Sequence, residues 1–321
     1  MGGSALRIVD VDTGRVTAVP GVALVGDESV TELASSGSDA YALTARCQVA
    51  AAGRVVKISA NQRAEVVATG QFDALLADDR RVWVEVYPTN DTTLFELRRL
   101  SGAPPPFRWL RNGLFVDAVA GDWLVARRPS AAPSGPDTGP LVLLLDARNG
   151  KVIDDLGAGY PLAAGAGVLV WSDVCPQGSS CTLHSRPLIG QTRRSYRLPA
   201  GRNLSALGSA VMSPDGQLLA FALQRAAPDP RYDPGHPLPP SDLAVLHLDS
   251  GQLQLVPGLE LAPKSPAGYA FSADSRWLVI ALNEGVRTRL LVWQPGSSKP
   301  MQSPAELPGK LATRPPIVVL R

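Results

Sequence analysis

Ser213-Pro214-Asp215-Gly216-Gln217-Leu218-Leu219-Ala220-Phe221 is the stretch that decides the fold. Pro214 and Asp215 preset a tight turn, Gly216 supplies the positive φ that a hairpin needs, and Leu218 opens an apolar strand. The pattern returns in worn form as Ser272-Ala273-Asp274-Ser275-Arg276-Trp277-Leu278-Val279-Ile280. A turn and strand repeated at long range are the mark of a stacked array.

Outward from this pair, a half-unit of strand, hairpin turn and strand recurs along the chain. It falls at Leu6–Val19, Val55–Val67, Leu94–Trp109, Leu141–Leu156, Leu183–Leu198, Leu243–Val256 and Leu290–Met301. Asx-Gly and Gly-rich pairs between alternating apolar runs mark these as outer hairpins. Between them lie inner pairs, each a small-residue strand followed by a bulkier one: Tyr41–Thr44, Val82–Val86, Trp123–Ala126, Val168–Trp171, Leu218–Leu223 and Trp277–Leu282. Ala34, Ala118, Ala163 and Ala270 precede the bulky members, as strands crowding a central channel require.

The rhythm predicts a single all-β domain, a seven-bladed β-propeller of four-stranded antiparallel blades. The ring is expected to close through N- and C-terminal strands sharing one blade, which hides two exposed edges. Residues 1–4 read as an expression scar and 5–321 as the domain. Blades are expected at 5–21 with 307–321, then 29–70, 71–109, 110–158, 159–201, 202–258 and 259–306. The alternative is a pair of β-sandwiches. Helical architectures fail, because the apolar runs are short, β-branched and punctuated by turns about every 8–12 residues.

Composition narrows the function classes. The net charge is +2 and the charged share 19%. Arg outnumbers Lys, but the basic residues are scattered, so nucleic acid is not an expected partner. No apolar run reaches the ~18–20 residues that span a bilayer. Cys175 and Cys181 frame a turn-rich loop whose ends can meet, and a disulfide is expected there. Cys47 reads as a small buried hydrophobe.

The Ser-Pro-Asp-Gly turn followed by Leu-Leu-Ala-Phe-Ala resembles the TolB-like, WD-repeat-like propellers of bacterial envelope proteins. The strong motif covers Met212–Leu223, with an echo at Phe271–Leu282. The Gly-His and Trp-Asp pairs of true WD repeats are absent. The resemblance implies a propeller with a tendency toward protein binding.

Three connections between second and third strands swell, and they would cluster on one sector of one face. Candidate ligand-binding residues there are Arg127, Arg128, Asp173, Arg231, Tyr232, Asp233 and His236. The last loop also reads as a proline-stiffened solvent loop. Glu32, Asp73 and Asp117 open three consecutive inner strands and would converge near the channel mouth. Such carboxylates could hold calcium, or could simply accept backbone amides of a neighbouring blade. His184 and His247 fall on outer-strand patterns as ordinary strand residues. No Gly-x-Ser-x-Gly elbow is present, so nucleophilic catalysis finds no support.

The expectation is a non-enzymatic binding or scaffold propeller, taking a protein, peptide or envelope polymer. It is expected to be monomeric, without cofactor, and extracytoplasmic, secreted or membrane-tethered; the alternative location is cytoplasmic. The rival reading is a metal-dependent hydrolase or lyase using the channel-mouth carboxylates.

Overall fold

The computed structural model describes residues 6–20, 22, 24, 28–46, 53–78, 80–87, 94–100, 107–110, 113–129, 139–175, 181–190, 192–204, 210–225, 240–261, 267–284 and 287–308. Every regular element among them is a strand. The chain opens on a hairpin, β1 (Arg7–Val9) and β2 (Val16–Ala18), and then builds blade after blade.

Blade A comprises β3 (Glu28–Ser36), β4 (Asp39–Arg46), β5 (Gly53–Ile58) and β6 (Ala64–Gly70). Blade B comprises β7 (Phe72–Ala77), β8 (Val82–Val86), β9 (Leu94–Arg99) and β10 (Phe107–Leu110). Blade C holds β11 (Phe115–Ala120), β12 (Trp123–Arg128), β13 (Leu141–Asp146) and β14 (Val152–Ala158). Blade D holds β15 (Tyr160–Gly165), β16 (Val168–Ser172), β17 (Thr182–Pro187) and β18 (Arg194–Arg197). In blade E the inner strand is split into β19 (Arg202–Leu204) and β20 (Val211–Met212). Both halves pair with β21 (Leu218–Arg225), which is followed by β22 (Ser241–His247) and β23 (Leu253–Leu261). Blade F ends the series with β24 (Gly268–Phe271), β25 (Leu278–Glu284), β26 (Arg287–Trp293) and β27 (Met301–Pro308).

Each blade is an antiparallel meander, and the first strands of successive blades lie side by side from β3 to β24. The architecture is a β-propeller. Buried side chains form clusters between sheets, and Trp83, Trp171 and Trp293 are among the most enclosed.

The expected seven four-stranded blades are corrected to six. Among the described residues the hairpin β1–β2 has no third or fourth strand. Packing holds it in place of a ladder. Leu6, Val19 and Ile8 join Ala40, Val56 and Ile58 of blade A, while Val9 and Val16 sit on Ala305 and Leu307 of blade F. Ser303 Oγ donates to Val11 O at 2.8 Å. Two three-residue strands are thus wedged between the first and last blades by their apolar faces. Of residues 307–321, expected to complete that blade, Leu307 and Pro308 instead end β27 of blade F, and 309–321 lie outside the described residues.

The repeated turns are built alike. Ser213 Oγ donates to Asp215 Oδ1 at 2.6 Å and accepts from Leu218 N at 2.9 Å. Ser272 Oγ likewise donates to Asp274 Oδ1 and accepts from Trp277 N at 2.9 Å. Gly216 takes φ 72°, and Ser275 stands at φ 61° in the same place.

Candidate functional site

The inner strands enclose a cavity of about 1190 Å³ on the propeller's central axis. Small residues, Ala34, Ala77, Ala118, Ala164 and Ala270 among them, make up much of its wall, and Leu33, Leu162, Met212 and Phe271 are among the larger ones. Small side chains are what the sequence places where strands converge, and they keep the axis open.

The cavity opens on the face carrying the turns between first and second strands and between third and fourth. Gly121, Gly167 and Pro214 lie at that rim with Arg81, Asp122, Arg148, Ile153 and Ile189. Ile189 is 82% exposed there. Elsewhere on the rim Arg81 Nη1 meets Asp122 Oδ1 at 2.7 Å, and Asp78 Oδ2 accepts from Gly121 N at 2.9 Å. The Arg148 guanidinium beside Asp146 holds that carboxyl down at about 2.

At its far end the cavity reaches Asp117. Here the inner strands share a feature invisible in the sequence, a one-residue bulge. It falls on Thr31 in β3, Asp73 in β7, Asp117 in β11 and Leu162 in β15. Bulges re-aim a side chain, and these lie at equivalent places in four blades. Glu32 stands one residue past its bulge.

The three inner-strand carboxylates are engaged separately. Glu32 Oε2 accepts from Leu75 N of the next blade at 2.5 Å. Burial, with the nearby Asp73 charge adding to it, pushes the Glu32 carboxyl up to about 7 despite that bond. Asp73 Oδ1 accepts from Tyr87 Oη at 3.2 Å. Asp117 accepts both contacts of Arg127 Nε, at 2.8 and 3.0 Å, and burial raises its carboxyl against the pull of Arg127. Among the described residues no group of three or more His, Cys, Asp or Glu side chains is placed to hold a metal.

The expected loop sector is on the opposite face. Arg127 and Arg128 end β12 there, and Asp173 follows β16. Arg231, Tyr232, Asp233 and His236 lie outside the described residues. Cys175 and Cys181 form a disulfide with Cα atoms 5.1 Å apart.

Asp173 is the residue whose surroundings the sequence least foretold. Its Oδ1 lies 2.7 Å from His184 Nε2, and His184 Nδ1 lies 2.9 Å from Ser195 Oγ. Trp171, His184 and Ser195 are directly paired across three strands and so share one face of blade D. Arg193 stacks over Trp171 at 4.9 Å and approaches Asp173 at 3.9 Å. This face meets blade C, since Trp171 packs with Val125 and Val142 and Arg186 pairs with Asp154 at 2.6 Å. His184 is buried, which lowers its pKa although Asp173 pulls the other way, whereas Ser195 is exposed.

Comparison with known proteins supports the fold. No family model matches the chain, and no curated protein matches it. Solved propellers do. A putative 6-phosphogluconolactonase from Bacteroides uniformis superposes with TM-score 0.55 at 11% identity, over 95% of this chain and 92% of that one. The β-propeller domain of the Trilobed protease from Pyrococcus furiosus, described as having an open velcro topology, gives 0.56 at 11% identity, covering 90% and 84%. The acylaminoacyl peptidase of Pyrococcus horikoshii gives 0.55 at 10% identity, over 85% of this chain but only 45% of the peptidase. At these identities the likeness is one of fold.

Proposed function

We propose that this propeller is a binding platform of the TolB-like kind, working outside the cytoplasm, that holds a segment of peptide, protein or envelope polymer in its central channel. The cavity carries this reading. At about 1190 Å³ it exceeds the roughly 300–1,000 Å³ typical of small-molecule sites, and its wall offers polar and apolar surface in about equal measure, with an Arg81–Asp122 ion pair at the mouth. A chain-like ligand gains from such a site because the ring pre-orders every contact it meets. A ligand long enough to traverse the channel would reach Asp117 and, beyond it, Arg127. The Cys175–Cys181 bridge supports an oxidising compartment. Among the described residues no helix is long and apolar enough to cross a membrane.

The test uses displayed short peptides selected on the immobilised full chain, with affinities read by fluorescence anisotropy. Ile189→Asp combined with Arg148→Glu alters only exposed mouth residues. The selected peptides should lose at least about tenfold in affinity for that variant, some 1.4 kcal/mol. Equal binding to both proteins would overturn the proposal.

A further inference from the structure

We propose that Ser195, on the outermost strand of blade D, is a nucleophile, activated by His184 and oriented through Asp173, that accepts acyl groups from carboxylic esters.

The geometry meets the requirements of such a relay one by one. Asp173 Oδ1 at 2.7 Å fixes the imidazole with its proton on Nε2, leaving the Nδ1 lone pair for the hydroxyl at 2.9 Å. Burial against Trp171 keeps His184 neutral at neutral pH, the form a general base needs. The charged groups beside it are Asp173 and Arg193. The register makes the arrangement rigid, because Trp171, His184 and Ser195 stand in one cross-strand row. His184 is enclosed between two ends that meet solvent, the Ser195 hydroxyl and the Asp173 carboxylate. Arg193, two residues before Ser195 and held over the Trp171 ring, brings positive charge to the same face.

In the step inferred, Ser195 Oγ attacks the ester carbonyl carbon and its proton passes to His184 Nδ1. The C=O electron pair moves onto oxygen. Collapse breaks the bond to the leaving alcohol, which departs with the proton from Nδ1, and the acyl group stays on Ser195. Water attacking by the same route releases the acid and restores the hydroxyl. None of Asp173, His184 and Ser195 lines the central channel, so failure of either proposal leaves the other standing.

The test treats the full chain with a fluorophosphonate probe and, separately, with p-nitrophenyl acetate, following intact mass and locating the adduct by fragmentation. Wild type should take one adduct at Ser195, and Ser195→Ala, a change at an exposed position, should take none there. His184→Gln and Asp173→Asn, checked for folding by thermal melting, should label about a hundredfold more slowly or worse. The wild-type labelling rate should rise with pH through a midpoint below the ordinary histidine value. No adduct on wild type, or labelling unchanged in Ser195→Ala, would reduce the row to a packing network and overturn the proposal.

Discussion

The backbone amide of Asp215 donates to Ser275 Oγ at 3.1 Å, joining the two copies of the repeated turn across neighbouring blades. The worn copy has lost its glycine yet keeps the left-handed backbone, φ 61° at Ser275 against 72° at Gly216. Its serine supplies an acceptor that glycine could not.

Removing that acceptor isolates its contribution. Ser275→Ala leaves the Asp215 amide without it and should cost about 1 kcal/mol in urea unfolding. Ser275→Gly loses the same bond but relieves the left-handed backbone, so its loss should be smaller. Equal losses would mean that backbone strain at Ser275 is negligible.

Two glycines separate strain from contact. Gly121, at φ 59°, has nothing within 4 Å of a would-be Cβ, whereas Gly216 would bring one to 2.8 Å from Ala166 Cβ of blade D. Gly121→Ala should cost about 1 kcal/mol, from backbone strain alone. Gly216→Ala should cost distinctly more, about 2 kcal/mol, by the same measurement.

Glu32 gives a pH dependence whose sign is fixed. Its folded-state carboxyl at about 7, against an ordinary 4.5, binds a proton that the unfolded chain has already released between those values. Its contribution to stability therefore falls as pH rises through that window and levels off above it. Glu32→Gln keeps an oxygen for the Leu75 amide. It should flatten the slope of melting temperature against pH and leave the variant more stable than wild type above pH 7.

The Cys175–Cys181 bridge closes a short loop, and the double Ser variant should lose about 2 kcal/mol. Protein from an oxidising compartment, alkylated while denatured, should carry one label before reduction and three after, since the chain has three cysteines. Three labels in both cases would remove the main support for an extracytoplasmic home.

Much of the fold was legible because it is local. The hairpin turns carry their own glycine and Asx signals, and the small inner strands announce a crowded axis. Blade count was not legible. Whether β1–β2 belongs to a four-stranded sheet depends on pairing between chain ends, whereas its wedging by Val9, Val16 and Leu6 is a matter of packing. The carboxylates show the same limit. Glu32 and Asp73 look equivalent in sequence, but a bulge at Thr31 sets Glu32 one residue out of step. His184 read as an ordinary strand residue. Its partners Asp173 and Ser195 lie on different strands, and only the cross-strand register brings them together.

Hydrogen exchange on the full chain, with and without a selected peptide, tests the channel-binding proposal most directly. Added protection should fall on the rim and inner-strand segments 33–37, 118–122, 162–167 and 210–214, which line the cavity. Protection confined to the outer strands β6 and β23, with the inner segments unchanged, would contradict it.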